Sequence, residues 1–377
     1  MEFRVVRKCR SSRARLGELT TNHGIIKTPT FMPVGTSGAV KGVSPEEVRD
    51  AGADIILANT YHLYLRPGHT LIERLGGLHR FMNWAGPILT DSGGFQTLSL
   101  SKLRTISPEG VTFRSHLDGS THFLGPAKAM EIQESLGSDI AMTLDECAPA
   151  GSSHDYVRNS VKLTEQWARR CLEEKKASSQ ALFGIVQGGI YPDLREMSAR
   201  GLVSLGFDGY AIGGLAIGED RRTREDIAGL TREFLPDEKP TYLMGVGTPE
   251  DIIEAVKMGL DLFDCVLPTR NARNGMLFTN AGSLIIKNSQ YAQDDSPIEY
   301  GCGCYTCSHY SRAYLRHLYL SKEMLASRLN TIHNLYYYSH LLSGIRKAIE
   351  ENRLAEFNHD FYARRVDNQE QEANSYQ

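Results

Sequence analysis

The chain has 377 residues, 41% of them hydrophobic and 23% charged, with a formal net charge of −3. That balance excludes a disordered or membrane-embedded class and leaves room for one large α/β domain or two ordinary ones. The near-neutral total excludes no partner, because nucleic-acid affinity follows local basic patches.

The opening MEFRVVRKCR scatters its charges and has no apolar core of signal-peptide length, and no later run approaches a spanning helix. A soluble cytoplasmic protein without a membrane partner is expected. Eight short apolar runs follow: KTPTFMPVG, DIILANTYH, GPILTDSGG, DIAMTLDEC, ALFGIVQGG, GYAIGGLA, PTYLMGVG and LDLFDCVLP. They alternate with stretches of helical period, the pattern of βα units around a parallel sheet. VSPEEVRD and GTPEDIIEA carry helix starts, with Ser44 or Thr248 as cap and proline at the first helical position.

Eight units in this length predict an α/β fold, a (β/α)8 TIM barrel, in preference to a doubly wound open sheet. A barrel places its chemistry at the C-terminal ends of the strands. Asn59, Asp91, Asp145, Gln187, Gly214, Gly245 and Asp264 all stand there. Beyond the eighth run, GMLFTNAGSLIIKN reads as a hairpin turning at Asn280-Ala281-Gly282. The expected organisation is a catalytic barrel over 1–365, a zinc-binding subdomain over 276–336 inserted before the last barrel helix near HLLSGIRKAIEE, and a frayed tail over 366–377.

Seven cysteines are an odd number for a disulfide framework, and three of them crowd into CGCYTC. Cys302, Cys304 and Cys307 have the spacing of a structural zinc site, with His333 as the next suitable ligand and His309 as the alternative. Four protein ligands leave no open position, so one structural zinc per chain is expected to hold the appendage together.

LTDSGGFQ puts Asp91 before two glycines that let a ligand approach the backbone, and then Phe95, able to stack on a planar ring. An ordinary helix cap has the same Asp-Ser pair. TLDECAP adds Asp145 at a neighbouring strand end, where a buried carboxylate must be paired or hydrogen-bonded. With the amide of Gln187 and the backbone at Gly214, these groups match the donor and acceptor edge of a purine. GVGTPED has the form of a phosphate-cradling turn, although a tight βα turn needs the same glycines. NLYYYSHLL reads as core or subunit interface. Arg270 and Arg273, just beyond Asp264, suit a phosphate backbone beside the base being processed, and Arg312, Arg316, Lys322 and Arg328 would add positive charge near the barrel mouth.

Taken together, DSGGFQ, TLDECAP, IVQGG, IGGLA, LFDCVLPTRNARNG and CGCYTC with the later histidine closely resemble the bacterial tRNA-guanine transglycosylases, or queuine tRNA-ribosyltransferases, in the family's order and over nearly the whole chain. The resemblance implies a homodimeric enzyme that exchanges the wobble guanine of a tRNA anticodon for another base. It implies Asp264 as the nucleophile that forms a covalent ribosyl-tRNA intermediate, and Asp91 as general acid and base. Asp145, Gln187, Gly214 and Leu215 match base recognition, Phe95 and Met244 the two faces of the stack, and Asn59 a residue orienting the acids. Bulk at Ala216 and Ile217 beside Cys147 favours a small 7-substituent, hence 7-aminomethyl-7-deazaguanine (preQ1), over queuine. A nucleosidase using the same acids and a non-catalytic tRNA-binding subunit are the rival readings; retention of both Asp91 and Asp264 counts against the second.

Overall fold

In the computed structural model the described residues are 1–99, 104–176 and 179–375, with side chains described as far as 365. The eight apolar runs become eight parallel strands: β1 (Thr30–Met32 with Val34–Gly35), β2 (Ile56–Ala58), β3 (Ile88–Thr90), β4 (Ile140–Met142), β5 (Ala181–Val186), β6 (Gly209–Ile212), β7 (Thr241–Leu243) and β8 (Leu262–Asp264). Pro33, which has no N–H for the ladder, breaks β1 into two pieces. The first piece pairs with β8, Asp264 opposite Met32, and the second with β2, Val34 opposite Leu57, so the two halves of one strand close the barrel.

Side chains alternate across each strand. Met32, Val34, Leu57, Leu89, Met142, Phe183, Ile185, Ala211, Tyr242 and Leu262 fill the interior, while Phe31, Ile56, Ile88, Ala141, Leu182, Ile212, Leu243 and Phe263 belong to the layer between strands and helices. Helix starts follow the local chemistry. Ser44 and Glu47 form a reciprocal capping box ahead of Pro45–Asp50, and Thr248 caps Pro249–Lys257. Helix Met324–Glu350 takes the place of the eighth barrel helix, packing against Pro45–Asp50, Pro249–Lys257 and the first piece of β1.

Two sheets were not anticipated. Glu2–Lys8, Arg15–Thr21 and Gly24–Thr28 form an antiparallel sheet whose fully buried Leu19 and Ile26 join the barrel interior. It plugs the N-terminal end of the barrel, where Arg15 forms a two-point ion pair with Asp261 at the foot of β8, at 2.9 and 2.6 Å. Arg104–Ser107, Gly110–Arg114 and Thr121–Leu124 form a second antiparallel sheet between β3 and β4.

The appendage begins with the hairpin Met276–Thr279 and Gly282–Ile285, turning at Asn280-Ala281, and continues through Tyr305–His309 and Arg312–Leu320. Leu277, Leu284, Ile286, Ile298, Leu315 and Leu329 give it a small core. The long helix Met324–Glu350 serves both units, with Leu329 in that core and Leu341, Leu342 and Ile345 in the barrel layer. A final helix, Leu354–Ser375, carries the backbone of most of the segment expected to fray. Among the described residues no helix is long and apolar enough to cross a membrane.

Candidate active site

A cavity of about 650 Å³ opens at the C-terminal ends of the strands. Its lining includes Asn59, Asp91, Phe95, Asp145, Gln187, Gly214, Leu215, Met244, Asp264 and Arg270, so one mouth gathers every expected catalytic and base-contacting residue. Arg273 does not line it. That residue lies on the same short helix as Arg270, Leu267–Arg273, and donates to the carbonyl of Thr269 at 2.8 Å.

Asp91 directly follows β3. Its carboxylate accepts from Asn59 Nδ2 at 2.5 Å, Thr60 N at 2.8 Å and Gln96 Nε2 at 2.9 Å. Asn59 stands at a helix N-cap position without capping, because its amide is turned to Asp91. Burial raises the Asp91 carboxyl to about 6 against these hydrogen bonds, and the nearby charge of Asp264 pushes the same way.

Asp145 accepts from Ser92 Oγ at 2.8 Å on one oxygen and from Gln187 Nε2 at 2.7 Å on the other. Burial raises it also to about 6. The second glycine of DSGGFQ is explained here: a Cβ at Gly94 would lie 2.6 Å from the Asp145 carbonyl and 2.8 Å from Oδ1. Gly214 is constrained in the same way, with φ of +67° and room for a Cβ only 2.2 Å from Gln187 Oε1.

Asp264 ends β8 on the interior face. Tyr242 Oη and Gly245 N donate to its Oδ1 at 2.6 and 2.8 Å. Oδ2 has no hydrogen-bond partner among the described residues. Burial raises its pKa above the ordinary carboxylate value, and the two donors oppose that shift. The GVGTPED turn therefore gives its Gly245 N–H to a side chain of the barrel, and the helix behind it carries Asp251, ion-paired with Arg224 at 3.0 Å.

Three supporting residues escaped sequence reasoning. Tyr242 sits inside an apolar run and reads as core. Arg195, on helix Pro192–Leu205, is fully buried and donates to the carbonyls of Val186, Gly189, Gly213 and Gly214. It ties together the ends of β5 and β6, and burial lowers its pKa to about 10. Glu219 accepts from Ala216 N at 2.5 Å and Ile217 N at 3.2 Å, bracing a turn in which Ala216 has φ of +60°. Ala216, Ile217 and Cys147 all line the cavity. The basic set beyond the cysteines is largely engaged within the protein: Arg312 with Asp294, Arg328 with Glu47, and Arg316 with the carbonyls of Lys287 and Asn288.

Cys302, Cys304, Cys307 and His333 converge as a set that fits a metal ion. His333 Nδ1 lies 3.8, 3.5 and 3.4 Å from the three sulfurs. A tetrahedral site with ordinary zinc–sulfur and zinc–nitrogen bonds has a sulfur–nitrogen edge of about 3.6 Å. His333 Nε2 donates to the Phe278 carbonyl at 2.8 Å, leaving Nδ1 as the ligand atom. The alternative, His309, is exposed, and its Nδ1 is engaged by the carbonyl of Tyr305 at 2.8 Å.

The model of the family described as Queuine tRNA-ribosyltransferase matches residues 9–367. Among similar proteins, the queuine tRNA-ribosyltransferase of Thermoanaerobacter sp. is 58% identical over 363 residues, covering 96% of this chain and 97% of the relative. That of Caldanaerobacter subterraneus subsp. tengcongensis is 56% identical over 372 residues, 98% of this chain and 99% of the relative. That of Staphylococcus epidermidis is 55% identical over 358 residues, 95% of this chain and 94% of the relative. With a family match over nearly its whole length and a barrel mouth lined by the motif residues, the chain belongs to the queuine tRNA-ribosyltransferase family, a family of pentosyltransferases.

Proposed function

We propose that the protein is a tRNA-guanine transglycosylase that exchanges the guanine at the wobble position of a tRNA anticodon for preQ1 by double displacement. The observation that carries this reading is the environment of Asp264, which lines the cavity with Oδ1 held by Tyr242 and Gly245 and with Oδ2 free of any hydrogen-bond partner among the described residues. A carboxylate fixed through one oxygen presents the other as a nucleophile at a set position.

In the first step Asp264 Oδ2 bonds to the anomeric carbon as the bond from that carbon to guanine breaks, and the departing base takes a proton from Asp91. In the second step the incoming base gives a proton to Asp91 and attacks the same carbon, and the Asp264–ribosyl bond breaks. Two inversions retain configuration, the logic of retaining glycosidases. A carboxyl raised to about 6 suits a group that must both give and receive a proton near neutrality.

Asp145, Gln187 and the backbone of Gly214 and Leu215 read the base edge, Phe95 and Met244 cover its faces, and Asn59 orients Asp91. Arg270, at the cavity rim, and Arg273 hold the phosphates that flank the flipped nucleotide. Zinc, when bound by Cys302, Cys304, Cys307 and His333, supplies structure to the appendage and no chemistry. The enzyme then works in the cytoplasm, with its tRNA substrate, as a homodimer, for which the exposed apolar side chains Tyr300, Tyr305, Tyr314, Met324 and Leu325 on the appendage and the start of the long helix speak.

Incubation with tRNA and labelled guanine tests the assignment. Label entering tRNA, with a tRNA–protein band on a denaturing gel that the Asp264→Asn variant lacks, is the expected result. Release of guanine without incorporation would establish a nucleosidase instead. Competition between preQ1 and queuine then decides the incoming base.

A further inference from the structure

We propose that His23, His79 and Asp139 form a second metal site, at the N-terminal end of the barrel, that takes a divalent transition cation of the Zn²⁺ or Ni²⁺ type and clamps the plug sheet to the barrel wall. The three residues come from separate parts of the chain. His23 lies in the turn between Arg15–Thr21 and Gly24–Thr28, His79 on the short helix Gly77–Met82, and Asp139 immediately before β4. Their ligand atoms all lie within 4.8 Å of one another.

Asp139 is the fixed member. Its side chain is 1% exposed, and Oδ2 accepts the Ile88 N–H at 2.9 Å, which locks the carboxylate against the foot of β3. His23 Nδ1 stands 2.8 Å from Oδ1 and His79 Nε2 3.2 Å from Oδ2. The second contact is the longer one, and the oxygen that His79 Nε2 shares is already taken by the Ile88 N–H, which leaves this buried nitrogen weakly satisfied. A buried polar atom in that condition calls for a partner.

The two imidazoles are stacked, with centroids 3.6 Å apart and planes 15° from parallel. Both ring nitrogens therefore face one carboxylate, so three ligand groups converge on one point. One divalent cation there bonds both nitrogens as well as the carboxylate. Because a metal lies in the plane of each ring that binds it, one ring must leave the parallel stack. His23, 38% exposed in its turn, is the ring free to do so, whereas His79 is 14% exposed. Solvent on the His23 side completes the coordination. Two imidazoles and one carboxylate select Zn²⁺, Ni²⁺, Co²⁺ or Cu²⁺ over Mg²⁺ and Ca²⁺, which prefer all-oxygen sets.

The site is remote from the cavity, which opens at the other end of the strands. Its effect is therefore on stability: the plug buries Leu19 and Ile26 in the barrel interior, and a metal bridging its turn to β4 and Gly77–Met82 holds that closure in place.

The test uses the full chain with its cysteine site loaded with zinc, dialysed against micromolar Ni²⁺, with bound metal measured by mass spectrometry. The wild type should take up one Ni²⁺ per chain beyond its zinc, and its unfolding temperature should rise by roughly 2–5 °C. His23→Ala, in an exposed turn, and His79→Gln should each lose that equivalent and the thermal shift while keeping their zinc. Co²⁺ loaded in place of Ni²⁺ should add absorption without thiolate charge-transfer bands, which separates this site from the cysteines. No added uptake by the wild type would overturn the proposal. So would uptake that both variants retain, since it would belong to scattered surface histidines.

Discussion

The two ends of one strand hold the same residue in opposite surroundings. Asp261, at the foot of β8, is fully buried and meets the guanidinium of Arg15 at two points, with Thr241 N as a third donor at 2.7 Å. Asp264, at the top, is held by a phenol and a peptide N–H, both neutral. The contrast extends around the barrel: Asp139 at the foot faces two imidazoles, whereas Asp91 and Asp145 at the mouth face amides, a hydroxyl and backbone. Carboxylates at the foot are paired with basic side chains and serve structure. Burial works against the charge of those at the mouth and raises their pKa values.

Exchanging the two ends by mutation is the strongest way to break this division. Asp264→Asn should abolish the covalent adduct and lower base exchange by about a thousandfold or more, because an amide is a poor nucleophile, with stability held or improved. Asp261→Asn should do the reverse. It strands Arg15, whose side chain is 2% exposed, and removing one partner of a buried pair costs about 3–5 kcal/mol. Folded Asp261→Asn protein should still form adduct at the wild-type rate. Denaturant unfolding beside single-turnover adduct formation gives both numbers, and an Asp261→Asn protein of normal stability but lost chemistry would refute the division.

Asp145 sharpens the same contrast through pH. Its folded value of about 6 lies above the ordinary 3.8, so the folded state binds the proton more tightly than the unfolded chain. The resulting stability is complete below 3.8 and is lost as pH rises through 6. Asp145→Asn removes the ionisation penalty and should stabilise the free protein above pH 6, by up to about 3 kcal/mol, with the gain vanishing at low pH. Ser92 and Gln187 can each reverse roles to accept from the new amide. Base affinity moves the other way. The wild type should bind base about tenfold more weakly at pH 5 than at pH 7, as the acceptor is protonated, and the variant weakly throughout. Thermal melts and calorimetry across that range check both signs.

Tyr242 separates positioning from packing. Tyr242→Phe keeps the ring in the barrel interior and removes one of two donors to Asp264 Oδ1. A hydrogen bond to a charged group contributes about 1.5–3 kcal/mol, so adduct formation should fall roughly 10- to 100-fold. Losing a donor to the ionised form also raises the Asp264 pKa, which moves the acid limb of the rate profile to higher pH. A rate loss with an unmoved limb would assign Tyr242 to packing alone.

That residue also marks where sequence legibility stops. Asp91, Asp145, Gln187 and Asp264 could be read because each is a polar group at or just past the end of an apolar run, where only a site or a buried pair accounts for it. Tyr242 lies within such a run, and its partner is on the adjacent strand. The period-two alternation that turns Leu262 inward also turns Asp264 inward, but only the pairing of Tyr242 with Leu262 brings phenol and carboxylate together. Arg195 was hidden for a different reason: an arginine on an amphipathic helix ordinarily faces solvent, and nothing local shows that four carbonyls await it. The plug sheet escaped because its apolar contribution to the interior, Leu19 and Ile26, is small beside its exposed polar residues, so it never formed a run. The barrel, by contrast, repeats one pattern eight times, and its caps at Ser44 and Thr248 are local chemistry.

The smallest expected effect concerns what the mouth admits. Ala216, Ile217 and Cys147 line one side of the cavity, and Glu219 braces the turn that carries the first two by accepting both of their N–H groups. A wall held from behind yields less to a bulky substituent than a free loop would. Ile217→Gly removes the side chain while leaving the N–H that Glu219 accepts, so the brace survives and only volume changes. A pocket contact of this size is worth about 1–3 kcal/mol, and the proposed preference for preQ1 over queuine should relax by roughly 10- to 100-fold, through the queuine term rather than the preQ1 term. Competition for labelled tRNA measures the ratio, and separate kinetics for each base identify which term moved. If queuine remains excluded while preQ1 exchange is unchanged, the discrimination lies with Cys147 or beyond the mouth; if both bases are used more slowly, the brace at Glu219 rather than the bulk of Ile217 is what the substitution disturbed.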